Sequence, residues 1–231
     1  SFMTGTIFDL ISQSEESDRF YGVTIGVVTN NQDEEKLGRV KIKLPQISDT
    51  DESCWARVLT PMAGKEMGFY CLPEVGNEVL VAFDRGDVSF PYILGGLWNG
   101  KDKPPEVNAD GKNNKRLIKS RSGHQIILDD TKDAEKIIIQ DSTGKNTIEI
   151  DSKNNTIKIE VDKDLTIAAK GKVSISTSGG DIELECNNLK IQAKQNCEIK
   201  ADANCNIESS AGMGLKCLAG VKINDGALEV T

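Results

Sequence analysis

The feature that most constrains this chain is an eight-residue repeat in its C-terminal half. Each unit contains a triplet in which an apolar, a polar and an apolar residue alternate, as in the LKI of residues 189–191. The triplets begin at Leu165, Val173, Ile182, Leu189, Cys197, Cys205, Met213 and Val221, with a slip of nine and then seven residues around Ile182. Because side chains alternate along a strand, both apolar residues of a triplet lie on one face. The repeat therefore predicts short strands joined by polar turns, and TIKI at 156 and TIEI at 147 extend it more loosely.

A chain built in this way cannot cover its own apolar face. Burial contributes roughly 1.5–3 kcal/mol for each of two side chains per octad, whereas ordering the backbone costs roughly 1–2 kcal/mol per residue. Either an intertwined prism of three chains or a single-chain β-solenoid with three units per turn would supply the missing partners. Eight residues match one face of a prism, so we favour the trimer. The first residues of the triplets then form an axial core: Leu165, Val173, Leu189, Cys197, Cys205 and Met213.

Composition changes abruptly near residue 100. All 11 aromatic residues lie between Phe2 and Trp98, and all 6 prolines lie between Pro45 and Pro105. A narrow axial core has no space for aromatic rings, and proline would remove a ladder hydrogen bond. We therefore predict an N-terminal arm (1–19), an OB-fold domain (20–100), a linker (101–116) and a trimeric β-helix (117–231).

The first half has the pattern of a small barrel. Five runs rich in β-branched or aromatic residues, separated by polar turns, predict strands at 23–28, 38–44, 54–59, 77–83 and 91–97. Five strands in about eighty residues are typical of a closed barrel such as an OB fold. The fold class is thus all-β, an OB barrel followed by an intertwined trimeric β-helix. The sequence RGD at 85–87 is expected to be a hairpin turn.

Charge and composition argue against several functions. The formal net charge is −8, whereas nucleic-acid binding requires a basic face. The only histidine, His124, and six cysteines without a C-x-x-C motif predict no metal site and no cofactor. The acidic turns at Asp129–Asp130 and at Asp49, Asp51 and Glu52 are weak cation candidates. No charged-then-apolar leader opens the chain, so we expect no signal peptide of the usual kind.

Several motifs resemble a known family. GRVKIKLP (38–45), WARVLTPMAGKEMGFYCLPEVGNEVLVAFDRGD (55–87) and FPYILGGLWNG (90–100) resemble the baseplate-V OB domain of contractile-tail spikes. SRSGHQIILDDT (120–131) is similar to the neck that leads into the spike shaft. The family comprises the central spikes of contractile phage tails, the valine-glycine-repeat spikes of type VI secretion and the spikes of extracellular injection particles.

The resemblance implies a homotrimeric, non-enzymatic spike at the end of an inner tube. It also implies synthesis in the bacterial cytoplasm, assembly into a tail-like particle and delivery out of the cell or into a target cell. It implies a baseplate hub protein as one partner, a PAAR-type tip protein as another, and a target membrane during injection. For the tip protein we predict docking at the end of the prism, through Val221, Ile223, Leu228 and Val230. For the hub or a neighbouring OB domain we predict contacts through Trp55 and Trp98.

Two other function classes are open to a sequence of this kind. One is an OB-fold ligand-binding module with an attached β-solenoid. The other is an enzyme acting on a polysaccharide, which would require paired carboxylates in a groove lined with aromatic residues. The C-terminal half lacks aromatic residues, and His124 has only Ser120 and Ser122 as nucleophiles nearby in sequence. We therefore predict no catalytic site.

Overall fold

A computed structural model describes residues 19–220, apart from the side chain of Asp49. The predicted N-terminal arm, except for residue 19, and the four predicted tip-docking residues lie outside this range. The first strands along the chain are β1 (Thr24–Asn30), β2 (Arg39–Leu44), β3 (Ser48–Glu52), β4 (Ala56–Val58), β5 (Ala63–Gly64), β6 (Met67–Gly68), β7 (Glu78–Asp84) and β8 (Asp87–Gly96).

Five of these strands close a barrel. β1 pairs with both β2 and β7, β2 pairs with β4, β4 pairs with β8 and β8 returns to β7. All of these pairings are antiparallel except that of β4 with β8, which is parallel. Each predicted strand of the first half overlaps one barrel strand, and the closed five-stranded barrel is consistent with the predicted OB fold.

Alternation along the strands creates the barrel core. Val28, Val40, Ile42, Val79, Val81 and Ile93 are fully buried. The intervening residues point outward, as the period of two requires. The β7–β8 hairpin turns through Arg85 (φ 50°) and Gly86 (φ 78°), two left-handed residues that match the twist of the flanking strands. The hairpin predicted at RGD is therefore confirmed.

A second sheet follows the barrel. Residues 97–114, which include most of the predicted linker, contain no strand. The chain then forms β9 (Lys115–Lys119), β10 (Gln125–Asp129), β11 (Lys136–Gln140), β12 (Thr147–Asp151) and β13 (Thr156–Glu160). Each strand pairs antiparallel with the next. Part of the region predicted as shaft is thus a meander whose strands pair within one chain.

The turns explain why the meander folds back. Asp141 accepts hydrogen bonds from Thr143 Oγ1 at 2.8 Å and from Asn146 Nδ2 at 2.8 Å. Asp151 accepts bonds from the backbone N–H and the side chain of Asn154, both at 2.9 Å. Asx-type capping of this kind stabilises a tight reversal of the chain. The carboxylates thus close the β11–β12 and β12–β13 connections.

A separate unit of the chain begins at Ile167, within the first octad. Between Val161 and Gly220, where the description ends, the chain forms no paired strand. The predicted trimeric arrangement of this segment is therefore not seen in a single chain. The boundary predicted at residue 117 stays a prediction.

Candidate assembly surface

One face of the meander consists of apolar side chains in two cross-strand rows. Pairing places Ile126 opposite both Ile118 and Ile139, and Ile148 opposite both Ile139 and Ile159. We call these residues and those of the second row the apolar face: Ile118, Ile126, Leu128, Ile137, Ile139, Ile148, Ile150, Ile157 and Ile159. Their exposure ranges from 37% at Ile150 to 71% at Ile157. A contiguous apolar surface of this size is typical of an interface rather than of a solvated sheet.

The opposite face of the meander has the character of a solvated surface. Lys136 Nζ lies 2.8 Å from Glu149 Oε1 and 4.0 Å from Asp151 Oδ2. The hydrogen bond from Lys136 to Glu149 raises the pKa of the lysine. The pKa of Asp151 is lowered, chiefly by the Asn154 backbone N–H. Apart from the half-buried Leu117, Ile127 and Ile138, the side chains of this face are polar, whereas those of the first face are almost all apolar.

His124 lies at the end of the apolar face next to Ile126. Its Nδ1 accepts a hydrogen bond from the Ser142 backbone N–H at 3.1 Å, which leaves the proton of the neutral ring on Nε2. The Ser120 and Ser122 hydroxyls bond to each other at 3.3 Å. The imidazole thus ties the β9–β10 turn to the β11–β12 turn.

The predicted axial residues all lie on the surface of the single chain. Leu165, Val173, Leu189 and Met213 are more than half exposed, and Cys197 and Cys205 are exposed free thiols. The second residues of the triplets are exposed as well: Ile167, Ile175, Leu184, Ile191, Ile199, Ile207 and Leu215. Their role in an axial core stays a prediction that requires further chains.

The two tryptophans have different surroundings. Trp55 is half-buried, and its ring centroid lies 5.7 Å from Arg39 Cζ and 5.3 Å from Lys41 Nζ. Trp98 follows β8 and is 69% exposed. The Trp55 ring thus has two cation–π contacts within its own barrel, whereas Trp98 is accessible to a partner. Their predicted contacts with a hub or a neighbouring OB domain remain predictions.

The outward side of β2 is cationic but ion-paired. Arg39 donates from Nε and Nη2 to the Asp33 carboxylate at 2.9 and 2.8 Å. This pair is the main reason why the pKa of Asp33 lies far below its ordinary value. Lys41 bonds to Glu52 at 3.2 Å. Because carboxylates offset these cations, the β2 wall differs from the basic groove of a single-strand-binding OB fold.

The acidic turns are likewise occupied by protein partners. Asp129 accepts a hydrogen bond from the backbone N–H of Thr131, Asp130 pairs with Arg116 at 2.8 Å and Asp51 accepts from Ser48 Oγ at 2.9 Å. Among residues 19–220, His, Cys, Asp and Glu side chains do not gather in any group of three suited to a metal ion. Over the same residues the chain forms no helix with the length and apolarity needed to cross a membrane.

Sequence reasoning missed the apolar face as a separate surface. A signal was present, because Ile126, Ile137, Ile148 and Ile159 follow one another at intervals of eleven residues. From Ile126 to Ile148 the interval reflects a five-residue strand and a six-residue turn, in contrast to the shorter spacing of the octads. The last turn has four residues, and Ile159 lies two positions further along its strand.

Comparisons with known proteins agree with this architecture. Residues 24–98 match the family described as the type VI secretion system/phage-baseplate injector OB domain. The type VI secretion system spike protein VgrG3 of Vibrio cholerae is 31% identical over 145 residues, which is 53% of this chain and 14% of that protein. The spike protein VgrG1b of Pseudomonas aeruginosa is 30% identical over 140 residues, or 56% of this chain and 18% of that protein.

A further relative carries a different name. The actin cross-linking toxin VgrG1 of Vibrio cholerae is 38% identical over 92 residues, which is 36% of this chain and 8% of the toxin. The chain thus spans less than a fifth of the length of each of these three relatives.

Proposed function

We propose that this chain, a VgrG-like protein with an injector OB domain, is the membrane-piercing spike of a contractile injection system. Three copies form the spike at the end of the inner tube. Its barrels lie toward the baseplate hub, and its shaft carries a PAAR-type tip protein. The role is mechanical and non-enzymatic, and the particle delivers the spike out of the producing cell or into a target.

The observation that carries this proposal is the incompleteness of the octads. From Val161 to Gly220, the end of the described range, the chain has no strand partner of its own. Backbone N–H and C=O groups and paired apolar side chains both require partners in a stable structure. Further copies of the same chain carry the same repeat in the same register, so they can supply both.

The exposed apolar face of the meander also favours association of further copies. The face immediately precedes the octads in sequence, and its nine side chains remain 37–71% exposed. Three copies that share a shaft bring three such faces together around one axis. The nine side chains of the apolar face would then be buried against other copies.

The mass of the assembly tests this proposal. Sedimentation equilibrium should give three chains of 25.1 kDa, about 75 kDa, and negative-stain images should show a narrow rod attached to a wider base. A folded species with the mass of one chain at micromolar concentration would overturn the trimer. That result would favour the alternative, an OB-fold ligand-binding module with a single-chain β-solenoid.

The predicted tip-docking residues have their own test. Removal of residues 227–231 takes away Leu228 and Val230, so the variant should lose capture of the PAAR-type protein. Trp98→Ala is the matched control, because it lies in the barrel domain at the end assigned to the hub. Unchanged tip capture after the deletion would refute the assigned tip site, while the trimer mass would still be tested separately.

A further inference from the structure

The barrel carries a small hairpin with an unusual apolar face. β5 and β6 pair Ala63 with Gly68 and Gly64 with Met67, and Phe69 N–H donates to Met62 C=O at 3.0 Å. This register places Met62, Met67 and Phe69 on one face of the hairpin. We call these three side chains the hairpin face, and they are 50%, 60% and 48% exposed.

So short a hairpin needs support. Each strand contains two residues, whereas isolated two-stranded hairpins are marginal even when they are longer. Its base is anchored, because Thr60 Oγ1 donates to Phe69 C=O and Leu72 packs against the barrel core. The arm thus has a fixed base and an apolar face that its own chain leaves open.

A second apolar surface lies on the outside of the barrel. Ile25 pairs with Leu80 across β1 and β7, and Leu94 lies at the bulge between β7 and β8. Together with Val23 these residues form what we call the apolar wall: Val23, Ile25, Leu80 and Leu94. Val23, Ile25 and Leu94 are 55%, 37% and 39% exposed. In contrast, the outward positions of β2 carry Arg39, Lys41 and Lys43.

We propose that the hairpin face of one copy packs on the apolar wall of the next copy, which closes a ring of three OB domains. This inference rests on the proposed trimer. The two surfaces are different patches, and a head-to-tail contact between different patches forms a closed ring when rotation about a common axis returns to the first copy. The shared shaft supplies that axis. Each copy then gives one hairpin and receives one, so neither apolar patch remains in water.

The chain connects the hairpin to the region where copies meet. Arg121 Nη1 lies 3.0 Å from Glu74 Oε2, which joins the loop after the hairpin to the β9–β10 turn. That turn borders the apolar face of the meander through His124, which lies next to Ile126. Chains held together by the meander raise the effective concentration of hairpin and wall for each other. A modest apolar contact is then sufficient to hold the ring.

Photo-crosslinking in the full chain tests the contact. A benzophenone amino acid replaces Phe69, and a second variant carries it at Met67, in assemblies mixed from light and heavy isotope-labelled chains. We expect crosslinks between light and heavy chains that map to the peptides containing Val23, Ile25 or Leu80. The same probe at Lys43, on the outward side of β2, is the matched control and should give no crosslink to those peptides of another copy.

A substitution on the receiving side completes the test. Ile25→Asp puts a carboxylate on the wall without touching the core, and it should lower the yield of interchain crosslinks about tenfold or more, since burying an unpaired charge is costly. The mass of each variant is measured in parallel. A three-chain mass with crosslinks only inside one chain, or with none, would overturn the ring contact alone.

Two other outcomes are also decisive. If the hairpin probes crosslink only after the baseplate hub protein is added, and only to that protein, the hub occupies the hairpin face. That result overturns the contact between copies. A mass of one chain for the unmodified protein would remove the proposed trimer and this contact with it.

Discussion

The apolar face can be tested by two adjacent isoleucines on one strand. Ile139 belongs to the apolar face and is 48% exposed in the single chain, whereas Ile138 points to the opposite face and is half-buried. Ile139→Ala and Ile138→Ala remove the same three carbon atoms from the same strand. The two variants differ only in the side of the sheet from which the atoms are lost.

The expected magnitude follows from burial. Each buried CH₂ group contributes about 0.8 kcal/mol, and about half of Ile139 is already covered within its own chain. Truncation should therefore cost association about 1 kcal/mol per copy, or on the order of 3 kcal/mol per trimer. Because about 1.4 kcal/mol corresponds to a factor of ten, the trimer dissociation constant should rise about 100-fold. Ile138→Ala should lower the stability of the meander and leave the association free energy nearly unchanged.

Sedimentation equilibrium across a guanidinium titration measures the association free energy of the trimer. Circular dichroism on the same samples measures the unfolding of the chain. Equal shifts in dissociation for the two variants would refute the assignment of one face to the interface. So would an Ile139→Ala protein that dissociates at the same concentration as the unaltered chain.

Three further predictions concern the turn, the shaft and the barrel. Hydrogen bonds from Asn146 and Thr143 lower the pKa of Asp141 from 3.8 to about 2. Because the pKa is lower in the folded chain, ionised Asp141 stabilises the fold fully above about pH 4, and this stabilisation is lost as the pH falls toward 2. Unfolding midpoints measured at pH 6, 4 and 2 should show the loss, and Asp141→Asn should abolish that part of the pH dependence. In the trimer, Cys197 should resist labelling by maleimide until denaturant is added, whereas the exposed Cys54 should be labelled with and without denaturant. Mass spectrometry of the labelled peptides measures both, and a Cys197 that reacts as fast as Cys54 in the native trimer would contradict its axial position. A Cβ at Gly26 would lie 3.0 Å from a core methyl group, whereas a Cβ at Gly95 would have nothing within 4 Å. Gly26→Ala should therefore lower the free energy of unfolding by about 1–3 kcal/mol, and Gly95→Ala should be nearly neutral. Equal unfolding midpoints for the two variants would be inconsistent with tight packing at β1.

The barrel could be predicted from the sequence because it is complete within one chain. Strict alternation in VKIKL and the flanking turn residues determine which side chains of β2 point inward. The RGD turn was predictable for the same reason, since Gly86 permits the left-handed conformation the hairpin needs. Local rules suffice where the chain itself supplies every partner.

The meander was harder to separate from the octads. Both contain apolar alternation, and TIEI and TIKI look like further octads although they form β12 and β13. The deciding feature is the turn, because Asp141 and Asp151 cap connections that return the chain to its own previous strand. Triplet periodicity alone does not say whether the next strand belongs to the same chain or to another one.

The three regions form a series of decreasing self-sufficiency, which predicts an order of assembly. The barrel buries a core and pairs its strands, and the meander pairs its strands but leaves one face exposed. The octads up to Gly220, where the description ends, have neither kind of partner in a single chain. We therefore expect the barrel to fold in separate chains, the meander faces to align three chains next, and the octads to wind together from the aligned end. Pulsed hydrogen exchange during refolding should show barrel amides protected first, at a rate independent of chain concentration. Octad amides should gain protection after the barrel amides, at a rate that rises with chain concentration. Protection of the octads before the meander would show that the alignment of the three chains begins elsewhere in the shaft.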